Sequence, residues 1–314
     1  LIDDSVHFML KIDNKKPTLR EILRIVGMMF VCTGCAGLLA EQCFEKMLVS
    51  LVGASTPAAS IVLSVYFLGL MLGALLYSRI RNIRWKPLAV YAILEAGIGA
   101  WAVFLLLSYQ TMIVLFAPVL SLGADKFWIL QSLRFVVACL WILPPTMLMG
   151  ATFPAIVDFL EISNVPDPRK AMSVFYSLNL AGAIIGALIG PYHTFPLWGL
   201  HGTLIFTAII DGTVALSVFI ITRFVKQRSL REVVQDSEIT IKLKTFREHH
   251  VLLIIALISG FLCFGLEVLW VHLIGAVLGN SVYAFAAMLA LVLAGLGIGG
   301  WLSVILFKED KPIS

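Results

Sequence analysis

Several ionisable side chains lie inside long apolar stretches of this chain, where a charge is costly to bury. They are Glu41, Glu45, Lys46, Glu95, Asp211, Glu267 and His272. Placing one charged group at the centre of a membrane-spanning helix costs about 2.5–3.5 kcal/mol. Such groups bind ions, carry protons or pair with one another, so each of these side chains is a candidate for one of those roles.

Two of the carboxylates occupy equivalent positions of an internal repeat. Residues 33–75 align without a gap with residues 259–301, and Glu41 matches Glu267. In each copy an aromatic residue follows the carboxylate after three positions, and Lys46 or His272 follows it after five. A helix pair that occurs twice, each time with a carboxylate in apolar surroundings, indicates a membrane protein built from duplicated halves.

Three interpretations of the repeated carboxylates are open. Glu41 and Glu267 would bind a cation or a proton if they face each other across the axis that relates the copies. They would instead lock the copies together if Glu41 pairs with His272 and Glu267 pairs with Lys46. Pairing within one helix is unfavourable, because groups five residues apart point about 140° away from each other. In the third interpretation the carboxylates are exposed at the membrane surface.

The composition requires a membrane-embedded chain, because 60% of the 314 residues are hydrophobic and only 13% are charged. Crossing the hydrocarbon core takes roughly 20 helical residues. Long uninterrupted apolar stretches favour helices over the alternating strands of a barrel. Residues 110–124 are too short to cross and are predicted to extend the third span or to lie at the outer interface. Eight spans are predicted, near 22–50, 57–79, 87–109, 128–160, 171–195, 203–223, 250–276 and 281–307.

Lys and Arg residues fall almost entirely at alternate helix ends, which fixes the predicted orientation. The positive-inside rule places that side, and therefore both termini, in the cytoplasm. We expect an integral protein of the bacterial inner membrane. The net charge of +4 follows from this topology and predicts no nucleic-acid partner. The predicted segments are a cytoplasmic N-terminal part (1–21), a six-helix membrane bundle (22–225), a cytoplasmic linker (226–249), the repeated helix pair (250–307) and a cytoplasmic tail (308–314).

The sequence predicts neither a cofactor nor a metal site. His193 and His201 have no carboxylate or thiolate spaced to complete a metal site with them, and all five cysteines fall inside predicted spans, which makes structural disulfides unexpected. A nucleotide-binding loop, a nucleophile elbow and a metalloprotease motif are all absent from the sequence. No reaction can therefore be assigned from these residues.

One predicted span carries a ridge of small residues. Gly182, Gly186 and Gly190 recur every four positions and lie on one face of a helix, which lets a neighbouring helix approach closely. We therefore expect a packing role for these glycines.

The repeat resembles the arrangement of major facilitator transporters. Six spans separate the two copies, so the first and seventh helices run in the same direction, as in the two halves of those transporters. The resemblance implies an all-α polytopic fold of about eight transmembrane helices, with a six-helix major facilitator-like half and a repeated helix pair. After the second span, where that family carries an acidic and several basic residues, this chain has Arg79 and Arg81 without the acidic residue. The complete gating machinery is therefore not expected.

A second resemblance rests on three blocks of sequence: residues 267–285, with Glu267, Trp270 and a Gly-x-Ser-x-Tyr-Ala turn; residues 149–154; and the glycine-rich residues 179–203. Together they resemble the membrane region of spermidine synthase-like integral membrane proteins over roughly 26–306. His272 stands where that family usually has Arg.

Members of that family often join this region to a soluble domain that transfers an aminopropyl group to putrescine. The family name thus implies an aminopropyltransferase, but nothing in this chain predicts the soluble α/β domain that would hold its catalytic site. We expect a membrane module that anchors or packs against a further domain, other membrane subunits or a second copy. A cation or polyamine transporter that uses the intramembrane carboxylates is an alternative, and a structural subunit of a larger membrane complex is another. The incomplete second half argues against an autonomous transporter.

Overall fold

Every element in the described part of the chain is helical. The computed structural model describes residues 18–53, 56–81, 85–122, 126–163, 165, 167–224, 246–278 and 282–306. The helices are α1 (Leu19–Val52), α2 (Thr56–Ile80), α3 (Pro87–Leu122), α4 (Phe127–Ile162), α5 (Pro168–Ile189), a π-helical turn (Gly190–Thr194), α6 (Phe195–Phe224), α7 (Phe246–Leu278) and α8 (Val282–Leu306).

The helix ends follow from local sequence. α1 begins with a capping box, in which the Thr18 amide donates to Glu21 Oε2 at 2.8 Å and Thr18 Oγ1 accepts from the Glu21 amide at 3.4 Å. It ends at Gly53, whose φ of 96° favours glycine. α5 begins with Asp167 as its N-cap and a proline at the first position, where the missing N–H costs nothing.

The helices are long and apolar enough to cross a membrane. Six stretches of the described residues meet that requirement, and the exposed side chains are rich in Leu, Ile, Val and Phe, as a bilayer environment demands. The prediction of an all-helical membrane protein is confirmed. One stretch, 168–223, contains both α5 and α6. The helical backbone breaks inside it at Gly199, where φ is 65°.

Residues 110–122 continue α3 rather than forming a separate segment at the interface. α3 is one helix of 36 residues that runs through Pro118. At a rise of 1.5 Å per residue it is about 54 Å long, well beyond the roughly 30 Å of a hydrocarbon core. α3 is therefore longer than one perpendicular crossing of the membrane core requires.

The first six helices pack in related pairs. α1 packs on α5, α2 packs on α4, and α3 packs on α6. Two further contacts are made, one between α1 and α6 and the other between α3 and α4. These pairings are preserved when α1 is exchanged with α4, α2 with α5 and α3 with α6. Contacts along the pairs also fix direction: α1 runs parallel to α3 and α5, and α6 runs antiparallel to α3. The chain therefore reverses between α5 and α6.

The two closest crossings bring helix backbones into contact at glycines. Between α2 and α4, a Cβ atom on Gly73 would collide with the Met147 carbonyl oxygen, and one on Gly150 with the Leu70 carbonyl oxygen. Between α1 and α5, a Cβ atom on Gly182 would collide with the carbonyl oxygen of Val31. Since the lipid offers no hydrophobic drive for helices to associate, such close van der Waals packing holds membrane helices together.

Buried apolar side chains form two clusters at opposite ends of the bundle. Along α1, one cluster begins with Ile22, Val26 and Phe30, and the other runs from Ala40 to Leu48. Each cluster also takes side chains from α3, α4 and α6. The level between them, at residues 31–39 of α1, is the part of the bundle that no buried apolar cluster fills.

α8 packs against the outside of α5. The Ser173 hydroxyl donates to the Gly300 carbonyl oxygen at 2.8 Å, and the rings of Tyr192 and Tyr283 lie 5.0 Å apart between centroids. α7 contacts α8, but most of its described side chains are exposed, among them Leu257 and Phe261. The repeated helix pair therefore joins the six-helix bundle mainly through α8.

Alanine substitutions will show whether the glycine crossings hold the bundle together. We expect G150A and G182A each to lower the apparent melting temperature, since the added methyl group meets a backbone carbonyl that cannot rotate away. Overpacking of this kind costs about 1–3 kcal/mol. G212A is the matched control, because no atom of another described helix lies within 4 Å of its ideal Cβ position. Thermal unfolding in detergent measures the effect, and equal melting temperatures for all three variants would contradict it.

Candidate functional site

A cavity of about 470 Å³ occupies the level between the two apolar clusters. Residues from each of the eight described helices line it, and three of the sequence-predicted carboxylates are among them. Glu41 comes from α1, Glu95 from α3 and Asp211 from α6. The bundle thus brings together acidic groups that are far apart in the sequence.

The Glu41 carboxyl group is partly exposed to the cavity and has a tyrosine partner. Tyr66, on α2, lines the same cavity, and its hydroxyl group hydrogen-bonds to the Glu41 carboxyl group. A hydroxyl donor of this kind fixes the orientation of a carboxylate. Glu41 is therefore placed and oriented to meet a cation inside the cavity.

Glu95 and Asp211 form a second acidic group, which is almost completely buried. Their exposed fractions are 3% and 1%, and the two carboxyl groups are close enough to interact electrostatically. α6 can approach α3 here because Gly99, one turn after Glu95, has no side chain, and Asp211 Cβ lies 3.3 Å from its ideal Cβ position. Asp211 Oδ2 has no hydrogen-bond partner among the described residues.

A chain of hydroxyl groups leads from α1 to this pair. Thr33 Oγ1 and Tyr91 Oη are 3.0 Å apart, and the Tyr91 hydroxyl group hydrogen-bonds to Glu95. Thr33 Oγ1 also lies 3.3 Å from the Phe30 carbonyl oxygen, to which it donates. Tyr91 is fully buried, so this network is shielded from water outside the cavity.

The rest of the lining suits an organic cation. Phe67, Phe153 and Tyr176 supply aromatic surface, Asn179 supplies an amide, and no Lys or Arg is among the lining residues that the structure describes. Carboxylates attract positive charge and aromatic faces add a favourable cation–π interaction. The arrangement can bind a cation that carries apolar groups.

The remaining predicted ionisable residues lie elsewhere or outside the described part of the chain. Lys46 does not line the cavity, and its ammonium group lies 5.7 Å from the centre of the Phe195 ring. Glu45 is half-buried and is likewise not among the lining residues. The backbone of α7 includes Glu267 and His272, but their side chains lie outside the described residues. The crossed pairing of Glu41 with His272 and of Glu267 with Lys46 stays a prediction.

The glycine ridge of α5 faces α1. Gly182 and Gly186 lie against the Val31 and Cys35 carbonyl oxygens, and Gly190 begins the π-helical turn beside Gln42. Within the described ranges, no cluster of three or more His, Cys, Asp or Glu residues could hold a metal ion.

The basic turn after α2 carries no acidic residue of its own, but it has acidic partners on another helix. Arg81 Nη2 lies 3.1 Å from Asp158 Oδ1 and 3.8 Å from Glu161 Oε2. The Tyr77 hydroxyl group donates to Asp158 Oδ2 at 2.8 Å. Because the carboxylates come from the end of α4 and not from the turn itself, inspection of the turn alone could not find them. The i, i+3 spacing of Asp158 and Glu161 on one helix face was the available signal.

Other members of the site were also missed from the sequence. Tyr91 precedes Glu95 by four residues, which places both side chains on one face of α3, and this spacing could have identified it. Tyr66 is on a different helix from Glu41, so only the packing of α1 and α2 reveals their contact.

We expect R81Q to destabilise the end of the bundle that contains the turn after α2. The Asp158 side chain is only 4% exposed, and loss of the guanidinium group leaves its carboxylate with Tyr77 as the remaining described donor. Because Arg81 itself is 39% exposed, solvent screening keeps the expected cost to about 1–2 kcal/mol. R79Q, an exposed neighbour on the same turn, is the control. Thermal unfolding measures both variants, and an unchanged melting temperature for R81Q, or an equal loss in R79Q, would show that the ion pair contributes nothing.

Comparison with known proteins gives two distant relatives. The chain is 27% identical over 210 residues to Polyamine aminopropyltransferase 2 of Streptomyces coelicolor, which covers 65% of this chain and 35% of the relative. It is 26% identical over 200 residues to Polyamine aminopropyltransferase 1 of the same organism, over 62% of this chain and 33% of the relative. The chain thus spans about a third of the length of the curated relatives that it matches. No family model and no solved structure matches it.

Proposed function

We propose that this chain is the membrane module of a protein related to polyamine aminopropyltransferases, and that its central cavity binds a polyamine. One observation carries this proposal. Glu41, Glu95 and Asp211 come from three helices into one cavity, and the described lining residues include no Lys or Arg. A polyamine carries several ammonium groups joined by methylene chains, so it matches a cavity that combines carboxylates with apolar and aromatic walls.

Glu41 is the group that we assign to ammonium binding. It is the cavity carboxylate that is partly exposed, and the Tyr66 hydroxyl group orients it. Phe67 and Phe153 offer contact surface for methylene groups. The distant similarity to two proteins named polyamine aminopropyltransferases supports a polyamine over other organic cations.

The catalytic aminopropyltransferase domain is proposed to lie outside these residues. The similarity covers about a third of each relative, and every element in the described part of the chain is a helix, with no parallel sheet to carry such a site. In this proposal the membrane module anchors that domain, or a partner that supplies it, and exchanges a polyamine with it. The lipid-facing surface of α7 is available for further subunits or for a second copy.

We further propose a major facilitator-like layout with eight spans. The exchange of α1 with α4, α2 with α5 and α3 with α6 preserves the helix pairs, which is the pattern expected for the nested three-helix repeats of such a half. The reversal at Gly199 supports two crossings in the stretch 168–223. In this layout both termini and the linker 226–249 are cytoplasmic, in a bacterial inner membrane.

Reporter fusions test this topology. Alkaline phosphatase is active only outside the cytoplasm, so we expect no activity from a fusion within 226–249 and high activity from a fusion at Trp198, next to the break in the helical backbone at Gly199. Western blots of both fusions control for expression. The reverse pattern of activity would contradict the orientation, and equal activity at both positions would contradict the separate crossings of α5 and α6.

The polyamine proposal predicts that E41Q weakens spermidine binding. Loss of a charge-assisted interaction costs about 1.5–3 kcal/mol, which reduces affinity roughly tenfold to a hundredfold. Y66F, which removes the orienting hydroxyl group, is expected to have a smaller effect in the same direction. Equilibrium binding of radiolabelled spermidine to the purified protein in nanodiscs measures each variant.

E45Q is the matched control for this experiment. Glu45 is one turn from Glu41 on the same helix, yet it does not line the cavity, so its substitution should leave affinity unchanged. Equal losses in E41Q and E45Q would indicate a general effect of negative charge. Absence of spermidine binding to the wild-type protein would overturn the proposal.

Cation transport is the second candidate function, and the depth of the cavity favours it. Transporter sites lie near the middle of the bilayer between repeats, and this cavity lies between apolar clusters at either end of the bundle. Uptake of labelled spermidine into proteoliposomes preloaded with unlabelled spermidine separates the candidates. Accumulation of labelled spermidine inside the proteoliposomes would establish transport. Binding without accumulation would favour the first proposal, a membrane module that binds a polyamine.

A further inference from the structure

The Glu95 and Asp211 carboxyl groups differ from Glu41 in their surroundings. Both are more than nine-tenths buried and interact electrostatically, at the α3–α6 contact where Asp211 Cβ approaches Gly99. Asp211 lines the cavity, and its Oδ2 atom accepts no hydrogen bond from the described residues. A buried carboxylate oxygen without a donor is costly, so the pair needs a further positive charge or donor.

No described basic side chain supplies that charge. The titratable groups that face the pair or line the cavity with it are Tyr91 on α3, Glu41 on α1, Tyr66 on α2, Tyr176 on α5 and Cys263 on α7. The described cavity residues of α4 and α8 are not titratable, and the side chains of Glu267 and His272 lie outside the described residues. Two ionised carboxylates at this position would repel each other in a poorly solvated site.

The hydroxyl groups beside the pair can satisfy their hydrogen bonds whether Glu95 is ionised or protonated. When Glu95 is ionised, Tyr91 donates to it. When Glu95 is protonated, it donates to Tyr91, which then donates to Thr33, and Thr33 donates to the Phe30 carbonyl oxygen at 3.3 Å. Each hydroxyl group keeps one donor and one acceptor role in the second arrangement. The hydrogen-bonding network is therefore compatible with a proton on the pair.

We propose that Glu95 and Asp211 form a proton-binding site that holds one proton between the two carboxyl groups and releases it when a cation occupies the cavity at Glu41. The shared proton removes one of the two negative charges, and when it resides on Asp211 Oδ2 that atom no longer carries an unpaired negative charge. Cation entry adds positive charge to the same cavity, so the pair can release its proton to the aqueous solution, and this release offsets one unit of the added charge. Proton binding stands independently of the proposed function, whereas the exchange rests on it.

Infrared spectroscopy of the purified protein in nanodiscs tests proton binding directly. Difference spectra between neutral and alkaline buffer should contain a carboxylic acid C=O band that shifts in D₂O. We expect E95Q and D211N each to remove that band, because each leaves a single carboxyl group beside an amide. E45Q should keep it. Unchanged wild-type spectra in the carboxylic acid region, or a band that survives in both E95Q and D211N, would overturn the proposal.

The same samples also test whether the pair binds a sodium ion instead of a proton. If the pair binds sodium, replacing sodium with choline should lower the melting temperature of the wild-type protein but not of D211N, and no carboxylic acid band should be present. That result overturns proton binding. Because E95Q and D211N keep the size and shape of the native side chains, their melting temperatures at acidic pH should equal that of the wild-type protein.

The exchange step is measured with spermidine as the probe. Addition of spermidine to the wild-type protein in weakly buffered solution should release protons and reduce the carboxylic acid band, and E41Q should do neither at the same concentration. If spermidine does not bind at all, the proposed function fails while the band still reports the proton site. If spermidine binds and the band does not change, the exchange fails while polyamine binding stands.

Discussion

Direct contact between helix backbones is the constraint on which the rest of this structure depends. In a bilayer the lipid tails compete equally well for apolar side chains, so helices associate only where they fit more closely than lipid does. Here the fit comes from Gly73 and Gly150 at one crossing and from Gly182 and Gly186 at the other. These crossings fix the separation and rotation of α1, α2, α4 and α5, and with them the direction in which each polar side chain points.

The cavity is the result of that rotation. Apolar faces meet at both ends of the bundle and form the two buried clusters, whereas the middle of α1 presents Thr33 and Glu41 to the interior. Two kinds of acidic group result. Glu41 is partly exposed to the cavity, whereas Glu95 and Asp211 line it from the α3–α6 contact and are almost completely buried. A polar site in the middle of an apolar bundle is costly to build, which is the reason to expect a function for it.

The sequence predicts the elements better than it predicts their arrangement. Length and hydropathy are enough to predict long membrane-spanning helices, and the cost of burying a charge is enough to single out Glu41, Glu95 and Asp211. That these three meet in one cavity could not be predicted, because it depends on which helix faces are in contact. For the same reason the sequence does not reveal that Tyr66 is a partner of Glu41 or that Asp158 is a partner of Arg81. Each partner lies on another helix, and no spacing within one segment connects them.

α5 is in contact with both parts of the described bundle. Its glycine face lies against α1, and Ser173 and Ser177 on another face donate to carbonyl oxygens of α8. α8 meets the first six helices mainly through α5 and the adjoining π-helical turn. A displacement of α8 would therefore be transmitted through a stiff, tightly packed rod to α1, the helix that carries Glu41. In mechanical terms, α5 couples the position of the repeated helix pair to the shape of the cavity.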